Sequence, residues 1–322
     1  MANKNLHNAK SAKNDEFYTQ LVDIEREMKY YKQQFHWKTI FCNCDDPEES
    51  HFFKYFLLNF EHLWIKKLIS THFDSTEKTY KLEIIKDKNN DGKINNLDII
   101  KTPLQQNGDF RSPECIEMLK EADIVITNPP FSLFREYVAQ LMEYQKKFLI
   151  IGNMNAMKYK EIFKLIKEDK IWLWYGFNQS MVFKTPYKNI LPANVKFCKQ
   201  KGYEGDNYIK TPAINRYTNL ETKKRHENLI LYKKYSSEEY PTYDNYDAIE
   251  VSKVSDIPID YKWLMWVPIT FLGVYNPEQF EIIDGLNRYS ILSWPTPETK
   301  GKYLQAVNWQ PKFARIVIKY KL

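Results

Sequence analysis

Ile124-Val125-Ile126-Thr127-Asn128-Pro129-Pro130-Phe131 is the stretch on which the reading of this chain turns. Its β-branched run predicts a short buried strand, and the two prolines stop that strand at once because neither can donate to a ladder. Asn128 is thereby delivered to the strand's carboxyl end, which in an open α/β sheet is where ligands bind. Downstream, Leu133, Phe134, Tyr137, Val138 and Leu141 form the apolar face of a helix, with Ser132 as its expected cap. Phe148-Leu149-Ile150-Ile151 then reads as a strand, the stretch from Tyr159 to Ile166 as a helix, and Ile171-Trp172-Leu173 as a strand. Upstream, a short helix through Cys115, Ile116 and Leu119 leads into the quoted stretch.

Further back, Thr39-Ile40-Phe41-Cys42 predicts a first strand, followed by the turn Asn43-Cys44-Asp45-Asp46-Pro47. A helix through Phe52, Phe53, Phe56 and Leu57 comes next, capped by Asp46 or Ser50 and with Pro47 near its first position. Lys67-Leu68-Ile69-Ser70-Thr71-His72 is a second strand, and Asp74 just past it stands where a carboxylate can hold ribose hydroxyls. Strands alternating with helices predict an α/β fold whose mainly parallel sheet is covered on both faces. No G-x-G-x-x-G marks the first turn, so that segment alone does not announce a nucleotide. Before it, Phe17 and Tyr18 precede a helical pattern through Leu21, Ile24, Met28 and Tyr31. They read either as a hydrophobic staple or as part of a lid over a cofactor.

Asp87, Asn89, Asp91, Gly92, Ile94, Asn95 and Asp98 have the spacing of a calcium loop. The flanks, Tyr80 to Ile85 and Ile94 to Ile100, look like strands and not the paired helices such a loop needs, so a hairpin turn with Gly92 at positive φ is expected. Past residue 175 helical periodicity fades and basic residues interleave with aromatics: Lys196, Lys199, Lys201, Lys210, Arg216, then Lys223-Lys224-Arg225. That pattern suits phosphate contacts and base stacking, and equally suits a solvated, loop-rich region. Phe313 to Lys319 reads as a closing strand.

The bulk numbers bound the class. With 322 residues, 43% hydrophobic and 27% charged, the chain can bury a sizeable core. No apolar run approaches a membrane span and Met1 to Lys13 lacks the apolar stretch of a signal peptide, so a cytoplasmic protein without membrane contact is expected. A net charge of +6 and a pI near 8.8 favour a polyanionic partner. Cys42, Cys44, Cys115 and Cys198 fit reduced thiols; Cys42-x-Cys44 is not a zinc half-site, and no metal is expected.

The chemistry that suits Asn128 is methylation of an amino group conjugated to a ring. Such a nitrogen is a poor nucleophile because its lone pair is delocalised, and two acceptors aimed at its N–H bonds return density to it. The Asn128 side-chain oxygen is one candidate acceptor, and the Pro129 carbonyl, held by the stiff Pro129-Pro130 backbone, is the other. Phe131 offers a flat face for a flipped base.

Taken together, several segments resemble the EcoRI-type adenine-specific DNA methyltransferases of restriction-modification systems. They are the stretch from Asn14 to Gln20, Cys42 to Pro47, Gly108-Asp109-Phe110-Arg111-Ser112, Thr127 to Tyr137, Asp244 to Ile249 and Val267 to Leu272, in that order. The resemblance implies a class I, Rossmann-like methyltransferase sheet with S-adenosylmethionine as donor and N6 of adenine in double-stranded DNA as acceptor, reached by base flipping. It implies residues 1–35 as a segment flanking the cofactor, 36–175 as the catalytic core and 176–322 as a loop-rich target-recognition region. Catalytic roles fall to Asn128, Pro129, Pro130 and Phe131. Donor binding falls to Phe17, Tyr18, Thr19, Cys44, Asp45, Asp46, Pro47, Asp109 and Phe110. The basic residues expected on DNA are Lys199, Lys201, Arg216, Lys223, Lys224 and Arg225, and a separate restriction endonuclease would share the target. Methylation of RNA bases or of protein glutamine amides, and DNA binding without catalysis, stay open beside it. The resemblance also puts glycine where Trp174, Trp263, Trp266 and Trp309 stand, as UGA codons meaning glycine would if translated as tryptophan.

Overall fold

The computed structural model describes residues 18–19, 21–44, 46–48, 50–74, 79–173, 181–184, 192–203, 208–211, 214–244, 246–285, 306–307, 310–311 and 315–321. Two compact units make up the chain: residues 1–156 with 176–220, and 157–175 with 221–322.

The first unit holds β1 (Tyr18–Thr19), α1 (Leu21–Met28), β2 (Thr39–Cys42), α2 (His51–Leu58), β3 (Lys67–Thr71), β4 (Tyr80–Ile84), β5 (Ile100–Pro103), α3 (Pro113–Glu121), β6 (Ile124–Thr127), α4 (Phe134–Glu143) and β7 (Lys147–Asn153). The chain passes through α5 (Lys160–Lys167) and β8 (Trp172–Leu173) of the second unit, then returns for β9 (Met181–Lys184), α6 (Pro192–Gln200), β10 (Tyr208–Thr211) and β11 (Ile214–Thr218). Within the first unit the strand order is β5-β4-β3-β2-β6-β7-β11. Strands β3, β2, β6 and β7 are parallel, so their carboxyl ends share one edge. Strands β4, β5 and β11 join antiparallel at the flanks, and β1, β9 and β10 form a separate antiparallel sheet.

The parallel strands sit where the apolar runs put them. Both β2 and β6 are buried at every residue, as expected of strands covered on both faces, where apolar runs replace alternation. Ile24, Met28 and Tyr31 of the α1 segment pack with Phe35, Phe52, Phe53 and Phe56 and with Ile40, Leu68, Ile124 and Leu149 of the sheet. Each fully buried phenylalanine contributes about 2–3 kcal/mol of transfer free energy. Ser50 caps α2, accepting the Phe53 N–H at 3.5 Å, and Pro47 lies ahead of the cap, not at the first helical position. Ser112 caps α3 through the Cys115 N–H at 3.3 Å, with Pro113 opening the helix.

Two local expectations are corrected. Ser132 does not cap the helix after the quoted stretch; residues Phe131–Leu133 form a 3₁₀ turn, and α4 begins at Phe134 with no side-chain cap. Ile94 to Ile100 is not a strand. Asn95 and Asp98 close a capping box around the 3₁₀ turn Asn96–Asp98, and β5 starts only at Ile100. The loop between β4 and β5 is organised by carboxylates bound to backbone: Asp87 accepts from the N–H groups of Asn90 and Gly92 at 2.7 Å each, and Asp98 from those of Lys88 and Asn95. Gly92 does take positive φ, +80°. Among the described residues no group of three or more His, Cys, Asp or Glu could hold a metal ion, and no helix is long and apolar enough to cross a membrane.

The second unit is built on β12 (Thr242–Tyr243), β13 (Tyr246–Glu250), β14 (Met265–Pro268), β15 (Phe280–Gly285) and β18 (Arg315–Tyr320), in the order β12-β13-β14-β18-β15, with a small hairpin of β16 (Ala306–Val307) and β17 (Gln310–Pro311). The closing strand is thus β18, inserted between β14 and β15. A buried cluster stabilises it: Arg315 donates to Glu250 at 2.7 Å, and the Tyr243 hydroxyl donates to the same carboxylate. Trp266 is buried on β14 against Tyr243 and Tyr246, Trp263 is exposed, and neither takes positive φ. Trp174 and Trp309 lie outside the described residues.

Candidate active site

Asn128 follows the last residue of β6 and is itself buried, as is Pro129; Pro130 and Phe131 are half-buried. The Pro130 carbonyl accepts the Leu133 N–H at 3.0 Å and so closes the 3₁₀ turn that carries Phe131. The Phe131 ring packs at the margin of the core. Behind this turn, α4 is held tight to the sheet because Gly152 of β7 has no side chain: a Cβ there would collide with the Phe134 ring.

At the neighbouring strand the chain leaves β2 through Asn43 and Cys44. Cys44 takes φ +67°, a left-handed conformation uncommon for a residue with a Cβ and the one a glycine usually supplies. Asp46 then ties the turn together. Its carboxylate accepts the Glu48 N–H at 2.9 Å and the Tyr80 hydroxyl at 3.5 Å, and lies 3.7 Å from His72 Nε2. Pro47 is buried. Asp45 and Phe17 lie outside the described residues, and Tyr18 and Thr19 form β1, paired with Lys184 and Phe183 of β9.

Three hydroxyls at the carboxyl edge stitch the exits of the strands to one another. Ser70 of β3 donates to the Cys42 carbonyl at 2.6 Å, Thr127 of β6 to the Asn43 carbonyl, and Tyr137 of α4 to Asn43 Oδ1. All of these groups are buried, and burial pushes the Tyr137 phenol well above its ordinary range, so it remains a donor at any physiological pH. In the sequence Asn43 stands in the turn after the first strand and Tyr137 on the apolar face of a helix, and neither is marked there as a site residue. The available signal was a polar residue, Ser70 or Thr127, at the carboxyl end of an otherwise apolar buried strand.

The Gly108-to-Ser112 loop lies by the end of β3. Gly108, at φ +74°, passes so close that a Cβ would strike the His72 carbonyl, and Asp74 donates its N–H to the Asn107 carbonyl at 3.2 Å. Asp109 is engaged by Arg111, which donates to it from Nε at 2.8 Å and Nη2 at 2.7 Å; those hydrogen bonds hold the carboxyl below its usual range. Phe110 is buried edge-on to Tyr137, centroids 5.0 Å apart, and its carbonyl accepts from Gln140 at 3.2 Å. Both residues therefore shape the loop more than they line open space.

The basic residues separate sharply. Lys199, Lys201 and Lys223 are exposed and Lys224 is half-buried. Arg216 is fully buried on β11, donating to the Asp23 carbonyl at 3.2 Å near Asp23, Glu27 and Tyr31, so the expectation that it meets DNA phosphates is overturned. Arg225 is corrected likewise. It is buried in the second unit, donates to Asp169 and Glu221, and stacks on the Trp172 ring at 3.6 Å.

Comparison with known proteins places this geometry in a family. The profile described as "Adenine-specific methyltransferase EcoRI" matches residues 5–321. The type II methyltransferase M.EcoRI of Escherichia coli is 47% identical over 294 residues, covering 87% of this chain and 89% of its own. The type II methyltransferases M.MgeORF184P of Mycoplasma genitalium and M.MpnI of Mycoplasma pneumoniae are each 40% identical, over 98% of both chains. No solved structure matches significantly.

Proposed function

The chain belongs to the EcoRI family of adenine-specific methyltransferases, and from that premise we propose that it methylates N6 of adenine in duplex DNA, taking the methyl group from S-adenosylmethionine. The observation that carries this reading is Asn128-Pro129-Pro130-Phe131 at the carboxyl end of β6, beside the turn that leaves β2. The sheet order around β2, β6 and β7, with an antiparallel β11 at the flank, supports a class I methyltransferase core.

The polar edge fits a donor of this kind. A left-handed turn at Cys44, the carboxylate of Asp46, and His72 and Asp74 past β3 converge where a nucleoside and an amino-acid moiety need hydrogen-bond partners. Cys44 to Pro47 would hold the donor, with Phe17, Tyr18 and Thr19 beside it. Asp109, already engaged by Arg111, would act by shaping the loop at the donor's adenine, together with Phe110. When bound, the sulfonium donor supplies a methyl carbon with an excellent leaving group: the C–N bond forms as the C–S bond breaks, the electron pair going to sulfur. Asn128 and the Pro129 carbonyl accept the two amino N–H bonds and raise density on the nitrogen, which then gives a proton to solvent. Phe131 stacks on the flipped base and helps offset the few kcal/mol of unstacking. Orientation supplies most of the rate. Lys199, Lys201, Lys223 and Lys224 would meet phosphates, and a restriction endonuclease of the same target is the companion that a type II system implies.

Purified protein incubated with unmethylated genomic DNA and labelled donor, then sequenced for N6-methyladenine, tests the reading. Methyladenine confined to one short motif is expected. Label in RNA or in protein amides, with none in DNA, would overturn it. In the same assay Asn128→Ala is expected to lose about three orders of magnitude in rate, as removal of a transition-state acceptor does, while donor affinity survives.

A further inference from the structure

Asn43 is used from both ends of the residue. Its carbonyl accepts the hydroxyl of Thr127, the residue before Asn128, and its side-chain oxygen accepts the hydroxyl of Tyr137 on the helix that follows the Asn128 turn. The next residue, Cys44, begins the left-handed turn that would receive the donor. Tyr137 is in turn immobilised: its ring is fully buried edge-on to Phe110, one helical turn from Phe134, whose ring sits over Gly152. Gln140 of the same helix holds the Phe110 carbonyl. We infer that Asn43, Thr127 and Tyr137 form a positioning clasp that fixes the donor turn against the Asn128 turn and so sets the approach of methyl carbon to amino nitrogen. The inference rests on the methyltransferase reading above and deepens it.

The chemistry explains why such a clasp matters here. Transfer from a sulfonium needs its methyl carbon in line with the amino nitrogen, so the rate depends on alignment, and a misplacement of about 1 Å costs on the order of a hundredfold. A clasp that only held the fold together would lower the melting temperature when cut and leave the rate of the folded enzyme alone. Tyr137→Phe and Thr127→Val each remove one hydroxyl with little change of shape. Each is expected to slow single-turnover transfer at saturating donor and DNA by about ten- to a hundredfold, to weaken donor binding several-fold by calorimetry, and to leave DNA affinity unchanged. Thr127→Ser, which keeps the hydroxyl, is expected to restore the rate. Because both hydroxyls act through Asn43, the double variant should lose much less than the product of the single losses. Rates within twofold of the parent in both variants would overturn the clasp. The parent protein in the same assay reports separately on the methyltransferase reading; were it inert on DNA, donor affinity in the two variants would still decide the clasp.

A second observation stands apart from the site. Trp37 and Trp64, just before β2 and β3, take φ +57° and +53° while the residues are 62% and 63% exposed. The Trp37 N–H donates to the Trp64 carbonyl at 2.8 Å, so two left-handed turns are tied side by side. A left-handed backbone costs a residue with a Cβ about 1–2 kcal/mol and costs glycine nothing, and here both rings stand mostly in solvent, their centroids 6.2 and 6.0 Å from that of His36. We propose that positions 37 and 64 are glycine in the protein its host makes, through UGA codons read there as glycine. Trp172 is the internal control, since Arg225 stacks on its ring at 3.6 Å and the residue does not take positive φ. The masses of the peptides spanning positions 37, 64 and 172 in the protein isolated from its host decide: glycine at 37 and 64 with tryptophan at 172 supports the assignment, and tryptophan at 37 and 64 overturns it.

Discussion

Arg216 illustrates how charge read from composition misleads at a single residue. It sits in a basic, aromatic-rich segment, yet β11 pairs with β7 and turns this side chain inward, toward Asp23 and Glu27 of α1. Desolvation lowers its pKa to about 10, which still leaves the guanidinium charged at neutral pH. Removing it would take a buried positive charge away from Glu27, which keeps the Tyr31 hydroxyl, and from Asp23, which keeps Arg26, and loss of one partner of a buried charge pair costs up to about 3–5 kcal/mol. Arg216→Met is therefore expected to lower the urea midpoint strongly while the salt slope of DNA binding stays as in the parent. Lys199→Ala and Lys201→Ala should do the reverse, each reducing that slope by about one with little effect on folding. Fluorescence titrations across a salt series, paired with urea melts, read both quantities. An Arg216 variant that folds normally and loses salt dependence would return this residue to the DNA surface.

At the scale of elements, the join between α4 and β7 sets where the Asn128 turn lies. Gly152→Ala forces a methyl group against the Phe134 ring, and overpacking of this kind costs about 1–3 kcal/mol. The expected result is a lower melting temperature together with slower transfer, because α4 carries Tyr137 as well as Phe134. A Phe134→Leu change in the same background should recover part of both; no recovery would mean the collision is relieved elsewhere. The strands of this layer were legible in sequence because a strand buried on both faces is a bare apolar run: β2 fell on Thr39–Cys42 and β6 on Ile124–Thr127 as expected. What failed was side chain bonding to backbone. Asn95 and Asp98 captured local N–H groups and turned an apparent strand into a 3₁₀ turn, and Ser132 lost its capping role to a turn closed by the Pro130 carbonyl. Asn128 was legible in the candidate site because two prolines fix its place. Asn43 and Tyr137 were not, since their bond joins residues far apart in sequence that only the sheet brings together.

For the molecule as a whole, stability should respond to pH on both the acid and the basic side, and the signs follow from the groups involved. In the first unit Glu83, paired with Lys67 and Lys81, and Asp109, paired with Arg111, are held below their ordinary values. Their contribution is present above the unfolded pKa near 4 and is lost as pH falls through the lowered values. In the second unit His226 lies 2.9 Å from Glu278 and 3.1 Å from Glu221, and hydrogen bonds to those carboxylates, Glu278 first, raise it above 6.5. Its contribution is fully present below 6.5 and is lost as pH rises through the raised value. His226→Gln keeps a polar side chain but cannot take up the proton. The melting temperature of the parent should therefore exceed that of the variant most below pH 6.5, with the gap closing as pH rises through the raised value. The acid-side decline, to which Glu83 and Asp109 contribute, should be present in both proteins. The partly exposed pair makes the gap modest and salt-sensitive, so the series is best run at low ionic strength and repeated at high salt, where the gap should shrink. A gap that is constant across pH would show that His226 acts through packing and not through charge.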